Sequence, residues 1–437
     1  MAFRKFDYKR PVYIVDGTRT PFLKARSKPG PFKHADLAIQ SARALLNRMP
    51  FEPDAIDEVI YGSTMPASDE ANISRVIALR LGCGDDVPAF TVHRNCASGM
   101  QSLDSAAQSI SEGRSELILA GGVEAMSRAP VMLSDPMVEW LGAWGSARDL
   151  PARLKLLGKL RPAMFRPVIA LLNGLRDPVV GMSMGQTAEQ VAWRFGITRE
   201  QMDAYAVQSH MRLDQAHQAG VFDREIVPMF DSRGKLYDFD EGVRPDSTIE
   251  KLARLKPAFD KPYGLVTAGN SSQITDGAAS LILASEKAIE QYDLPVLARF
   301  TTTHWAALKP DEMGLGPAHA IVPLLRSRRL KLDSIDYWEI NEAFAAQVLG
   351  VIEALADKKY AAEHLGIKTP IGRIPMDRLN IHGGGISLGH PVGASGARIT
   401  LHLANILKQT GARRGVASLC IGGGQGGAVL IEREKQS

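Results

Sequence analysis

Apolar positions along this chain fall into two matching sets. In the first, a helical segment at residues 38–49 leads into the strand-like run Ile56-Asp57-Glu58-Val59-Ile60-Tyr61-Gly62. In the second, a helical segment at 322–330 leads into Ile335-Asp336-Tyr337-Trp338-Glu339-Ile340-Asn341. An Ala-Ser-Gly triplet follows each, at Ala97-Ser98-Gly99 and at Ala394-Ser395-Gly396. Behind the triplets, apolar residues recur at intervals of three and four: Met100, Leu103, Ala107 and Ile110, then Ile399, Leu403 and Ile406. That spacing predicts helices with one buried face. Both helices run on into strand formers, Leu117-Ile118-Leu119 and residues 416–421, followed by Gly-Gly. The separation grows from 279 residues (56 to 335) to 297 (97 to 394), so the second copy carries about 18 extra residues, mostly within 353–376.

Strands alternating with helices in two copies predict an α/β protein of two packed halves with mixed sheets. The pattern assigns 1–126 to the first half, 263–290 to a return to that half and 291–437 to the second. Residues 127–262 lack the pattern and are rich in Arg and Pro, with helices expected at 187–193 and 199–218. They read as an inserted, irregular domain able to cover a site between the halves.

Composition removes several classes. With 45% hydrophobic and 23% charged residues over 437 positions, the chain is neither disordered nor fibrous. Its 52 basic residues are nearly balanced by 48 acidic ones, a net charge of +4, and a solvated mixed surface is expected without nucleic-acid binding. Three cysteines, Cys83, Cys96 and Cys420, cannot build a disulfide framework and include no Cys-x-x-Cys, so neither a bridge nor a metal site is expected. Unpaired thiols suit a reducing, cytoplasmic location. The first ten residues carry no apolar signal core, and no apolar run approaches the ~20 residues of a membrane span.

Some motifs are decoys. Residues 422–427 match Gly-x-Gly-x-x-Gly, but no helix or acidic residue about 20 positions on can follow, so a dinucleotide site fails. Gly181-Met182-Ser183-Met184-Gly185 and Gly385-Ile386-Ser387-Leu388-Gly389 match the Gly-x-Ser-x-Gly nucleophile elbow. The second lacks a helix directly after its serine, whereas Ser183 does precede one, which leaves a serine hydrolase as an alternative.

Four positions carry more. Cys96 stands between a strand-like run and a predicted helix start, where unpaired N–H groups stabilise a thiolate; an inert core cysteine is the competing reading. Cys420 ends a strand-like run before Gly422, His390 sits in a glycine-rich loop, and Asn341 ends a strand-like run, where it could equally cap a helix. The duplication places Cys96 in one half and the other three in its partner, so equivalent loops can converge. A thiol nucleophile beside an imidazole base, a second thiol and an amide donor suits acyl transfer with proton transfer at carbon.

At these residues, and over essentially its whole length, the sequence resembles the thiolase family. His93-Arg94-Asn95-Cys96-Ala97-Ser98-Gly99, Asn341-Glu342-Ala343-Phe344, Gly389-His390-Pro391 and Cys420-Ile421-Gly422-Gly423-Gly424 are similar to four family motifs, in the family's order. The resemblance implies two duplicated halves layered αβαβα with an inserted loop domain. It implies that Cys96 is acylated with His390 taking its proton, that Cys420 protonates or deprotonates the acetyl α-carbon, and that Asn341 and His390 hold the enolate oxygen. The N–H groups of Cys96 and Gly422 would form a second oxyanion hole. Coenzyme A is implied as substrate, with no permanently bound cofactor; Ser272 matches the family's pantetheine contact and Met184 a loop-domain site. Ser183 stands where short biosynthetic thiolases carry His. The activity implied is CoA-dependent cleavage of 3-ketoacyl-CoA in fatty-acid β-oxidation, with biosynthesis of acetoacetyl-CoA as the alternative. A homodimer or homotetramer is implied, with a hydratase/dehydrogenase subunit as a further candidate partner, although Asn341 replaces the His often found in that subgroup.

The insertion at 150–176 adds Arg153, Lys155, Lys159, Arg161 and Arg166, with no acidic residue between Asp149 and Asp177. Leu154, Leu157 and Leu160 are spaced for one helical face, and Pro151, Pro162 and Pro167 divide the segment into short pieces. A basic amphipathic segment reads as a membrane-surface or partner-docking element, or as a lid with its charges in water.

Overall fold

A computed structural model describes residues 8–434; residues 1–7, part of the stretch read as lacking a signal core, lie outside the described residues. Among the described residues, ten strands form one mixed sheet that bends into two layers. The first-half strands run Tyr13–Arg19, Thr275–Ala284, Leu117–Ala125, Glu58–Gly62, Ala89–Val92, with Leu23–Lys24 beside Thr275–Ala284. The second-half strands run Ala298–Ala307, Gln425–Glu432, Arg414–Ile421, Tyr337–Ile340. The halves meet at a seam of two residue pairs, Tyr13 with Arg299 and Ile14 with Ala298. Pairing is parallel between Glu58–Gly62 and both neighbours and between Tyr337–Ile340 and Arg414–Ile421, and antiparallel elsewhere. Every residue of Leu117–Ala125 and Thr275–Ala284 is buried, as strands covered on both faces require.

Helices Ser98–Ser111 and Val392–Thr410, the two predicted to follow the Ala-Ser-Gly triplets, form the middle layer. Met100, Leu103, Ile110, Ile399, Leu403 and Leu407 share one core with Ile118 and Leu281 of one half and Leu419 and Ile431 of the other. The triplets mark where the two helices touch. A Cβ at Gly99 would stand 2.7 Å from the Gly393 carbonyl oxygen, and one at Gly396 would stand 2.5 Å from the Met100 nitrogen. Outer helices His34–Leu46 and Ile73–Leu81 cover the first half, and Gly316–Ser327 and Ala345–Ala356 the second. Helix Gly316–Ser327 begins six residues before the segment read from sequence because Pro317, which needs no N–H partner, fits its first turn.

Helices Met184–Phe195 and Arg199–Gln218 of the inserted domain each begin with a capping box, Ser183 with Gln186 and Thr198 with Gln201, and their buried faces join the outer core of the second half. Residues 131–176 add little to the core, with Met137 as their single buried side chain, although Leu175 packs against the second-half core. The helix expected to carry Leu154, Leu157 and Leu160 on one face spans Leu150–Leu157, so Leu160 falls beyond its end.

Candidate active site

Four loops from both halves converge at the ends of the middle-layer helices. Strand Ala89–Val92 feeds a tight turn through Cys96 into helix Ser98–Ser111. The Ser98 hydroxyl closes this turn, accepting from the Arg94 N–H at 2.9 Å and donating to the Asn95 carbonyl at 2.7 Å. Asn95 holds a left-handed φ of 44°, and its amide donates to the Gly422 carbonyl at 2.8 Å. The Gly422 N–H in turn faces the Cys96 sulfur. A cavity of about 100 Å³ opens here, with walls that include Cys96, Gly422, Met184, Met65, Leu171 and Val392.

His390, two residues before Val392 of that wall, and Asn341 are buried, and the Asn341 amide nitrogen stands 3.4 Å from the imidazole Nε2. Ser395 fixes the imidazole's tautomer. Its hydroxyl donates to the Pro391 carbonyl and so accepts from Nδ1–H, at 2.6 Å, leaving Nε2 with the lone pair. Asn341 caps no helix, since the next one starts at Ala345. Its Oδ1 is buried without a hydrogen-bond partner, in keeping with a polar group set toward a reactant. Cys420 ends strand Arg414–Ile421 and is fully buried, close enough to Cys96 for the two thiols to feel each other's charge.

The electrostatics correct one expectation. Burial pushes the Cys96 thiol above its ordinary value, and the N–H groups of Gly422 and of Cys96 itself only oppose that shift. Desolvation outweighs the helix start. Cys420 is raised further, by burial and then by the nearby Cys96. Burial and the charge of Arg398 bring His390 down to about 4, against the pull of Glu124. The resting site is therefore two neutral thiols and a neutral imidazole.

Of the remaining expected residues, Met184 lies on the cavity wall, while Ser272 sits in the loop Ser271-Ser272-Gln273, its N–H bonded to the Ala343 carbonyl at 2.9 Å. Ser272 does not line the catalytic cavity. It lies beside a second cavity of about 170 Å³ formed by Arg244, Ser247, Lys251, Ala268, Gly269 and neighbouring residues. Ser183 is a helix cap, its hydroxyl accepting from the Gln186 N–H at 3.3 Å, so the serine-hydrolase alternative loses its nucleophile.

Three residues were given no role by the sequence reading, although two of them, His93 and Glu342, stand in its motifs. Glu124, buried, accepts from the N–H groups of Thr64 at 2.9 Å, Met65 at 3.0 Å and Gly393 at 3.1 Å, tying a cavity wall of one half to the helix start of the other. Glu342 accepts from Tyr205 at 2.9 Å, Ser209 at 2.6 Å and the Ile386 N–H at 3.2 Å, fastening the inserted domain behind Asn341. His93 lines the cavity. The repeat offset of 297 pairs His93 with His390 and could have flagged it.

A duplicated α/β scaffold that joins a thiol, an imidazole, an amide and a second thiol from its two halves defines an enzyme of covalent acyl transfer. The chain belongs to the thiolase family: residues 12–287 match its N-terminal domain and residues 294–433 its C-terminal domain. It is 38% identical over 427 residues to a bovine mitochondrial 3-ketoacyl-CoA thiolase, covering 97% of this chain and 98% of the relative. It is 35% identical over 425 residues to the human mitochondrial trifunctional enzyme subunit beta, covering 97% and 88%. Human mitochondrial 3-ketoacyl-CoA thiolase, solved in complex with CoA, superposes with a TM-score of 0.85 at 34% identity over 98% and 99% of the two chains.

Proposed function

We propose that this enzyme cleaves 3-ketoacyl-CoA with CoA to acetyl-CoA and a shortened acyl-CoA, in fatty-acid β-oxidation, through an acyl-Cys96 intermediate. The observation that carries the reading is the Cys96 sulfur facing the Gly422 N–H close to the buried Cys420 thiol, with Asn341 set against the buried, neutral His390. In the first half-reaction the Cys96 sulfur attacks the 3-keto carbon while its proton passes to His390. The C2–C3 bond breaks, C2 takes the proton of Cys420, and acetyl-CoA leaves. In the second, the thiol proton of CoA passes to the Cys420 thiolate and the CoA sulfur attacks the acyl carbon. The departing Cys96 sulfur recovers its proton from His390. The N–H groups of Cys96 and Gly422 serve the oxyanion on the acyl carbon, and Asn341 with His390 serves the enolate oxygen. Stabilisation by one such donor is worth about 2.7–4 kcal/mol.

The Arg244 and Lys251 side chains beside Ser272 suit the phosphates of CoA. The edge strand Ala89–Val92, with Phe90 exposed, favours a homodimer or homotetramer. The relatives named as trifunctional enzyme subunits favour a hydratase/dehydrogenase partner. Three free thiols favour the cytoplasm. The test is consumption of a chain-length series of 3-ketoacyl-CoA, with mass spectrometry of the trapped acyl group. Label on Cys96 and turnover beyond four carbons support the reading; turnover of acetoacetyl-CoA alone moves the assignment to the biosynthetic class, and label elsewhere overturns it.

A further inference from the structure

The stretch 270–275 lies against both loops that carry Asn341 and His390. The Asn270 carbonyl accepts from the Ala345 N–H at 2.9 Å, and the Ser272 N–H donates to the Ala343 carbonyl at 2.9 Å. The Gln273 carbonyl accepts from the His390 N–H at 3.1 Å. Thr275 then packs under the same loop: Gly389 holds φ 106°, and a Cβ there would stand 2.2 Å from Thr275 Cγ2. A stretch with no reacting group of its own thus meets the imidazole loop at two points.

The Gln273 side chain adds a clamp. Its amide nitrogen stands 2.8 Å from the Gly242 carbonyl oxygen, 3.3 Å from that of Ile386 and 3.4 Å from that of Ser387. Three carbonyls around one NH2 group fix which end of the amide faces them, because an amide oxygen there would meet only acceptors. The amide oxygen is left buried without a hydrogen-bond partner, a cost that an apolar side chain of the same length would avoid. Against that cost stands the grip of the nitrogen on two segments, Gly242 of the inserted domain and the turn that leads into Gly389-His390-Pro391. These segments touch backbone to backbone, since a Cβ at Gly242 would stand 2.4 Å from the Ser387 carbonyl oxygen. Gln273 and Ile386 also line the cavity of about 170 Å³ that contains Arg244 and Lys251.

We propose that Gln273 is a positioning residue that couples the filling of this cavity to the placement of His390. An occupant packed on Gln273 and Ile386 restrains the 386–387 turn and, through the Gln273 carbonyl, the main chain of His390. Ordering paid for at one site is then already in place at the other. That the occupant is CoA rests on the proposed function; the clamp rests on the hydrogen bonds alone.

The experiment is hydrogen exchange, read by mass spectrometry on the full chain with and without desulfo-CoA, which lacks the reacting thiol. In the wild type this probe should slow exchange across 242–273 and across 386–390. Gln273→Met, equal in length but without the amide, should keep the first effect and lose the second. Thiolysis per acylatable Cys96 should also fall in this variant, by about tenfold to a hundredfold, the scale of loss when a reacting group is misplaced by about 1 Å. A purely structural role would instead lower the acylatable fraction and leave the rate per site unchanged, and that result overturns the proposal. So does slowed exchange at 386–390 that survives in Gln273→Met. In the wild type, slowing at 242–273 without 386–390 overturns the coupling and leaves CoA in this cavity, whether or not the variant folds. No slowing of either segment removes CoA from the cavity and the coupling with it.

Discussion

The Asn95 amide ties the nucleophile turn directly to the Gly422 carbonyl, and its removal should show in kcat before KM. Two costs can be separated. An Asn95→Ala variant loses the 2.8 Å bond to the Gly422 carbonyl, about 1 kcal/mol net, and must hold Ala at φ 44°, about 1–2 kcal/mol more. Stability should therefore fall by about 2–3 kcal/mol. Asn95→Gly loses the bond but not the backbone fit, because glycine tolerates positive φ, and should recover most of the second cost. For catalysis the ceiling is complete loss of one oxyanion donor, about 10²–10³ in kcat. Gly422 stays covalently placed and only its orientation relaxes, so a tenfold to hundredfold fall is expected, about 1.4–2.8 kcal/mol. Both variants should share this fall, since both lack the amide. The assay is steady-state thiolysis with the stoichiometry of acyl-enzyme, beside urea melts. Wild-type kcat in Asn95→Gly would refute the reasoning, showing that the backbone alone sets the Gly422 N–H against the Cys96 sulfur.

Other perturbations separate the remaining roles. Cys96→Ala should abolish both half-reactions, whereas Cys420→Ala should keep acylation by a simple acyl-CoA and lose thiolysis by about 10²–10⁴-fold, the usual worth of a positioned proton donor; equal loss of both in the Cys420 variant would make it structural. His390 works as a neutral base, and its pKa lowered to about 4 keeps it neutral as pH falls through the ordinary value of 6.5, so kcat/KM should show no acid limb near 6.5. A tenfold loss between about pH 7 and 5.5, within the range where unperturbed His titrates, would contradict that. Gly422→Ala should remain active, because its Cβ would lie 3.4 Å from Met184 Sδ in ordinary contact and only its N–H is used. Gly424→Ala should be strongly destabilised, with φ at 76° and a Cβ set 2.3 Å from the Leu308 carbonyl oxygen; equal thermal shifts in the two would undo the distinction.

The halves were legible because burial repeats. Met100, Leu103 and Ile110, like Ile399 and Leu403, read as helical faces from their spacing, and they face one shared core. The candidate residues Cys96, His390 and Cys420 drew notice through their neighbours: Ala-Ser-Gly after Cys96, and the glycines around His390 and Gly422, mark close backbone packing. The Cys96 pKa was not legible. A helix start is visible in sequence, but the desolvation that overrides it depends on what the fold packs around the thiol. Glu124 was missed, and Glu342 was named only as part of a motif, for the same reason: only the fold gives each carboxylate three or more donors.

The duplication also explains why the site is asymmetric. At the shared offset of 297, His93 corresponds to His390 and Cys96 to Gly393, so both copies bring a His and a helix start to one place. The second copy cannot carry a thiol at 393, because a Cβ there would stand 2.4 Å from the Val123 carbonyl oxygen and 2.8 Å from a Glu124 oxygen. The first copy has room at 96 because its turn faces the cavity rather than a strand. His390 is buried and fixed by Ser395, whereas His93 is exposed at the cavity wall. Burial lowers the pKa of an imidazole, so the enclosed His390 stays neutral, which suits the proton transfer proposed for it, while the open turn leaves Cys96 on the cavity wall, as the proposed nucleophile requires.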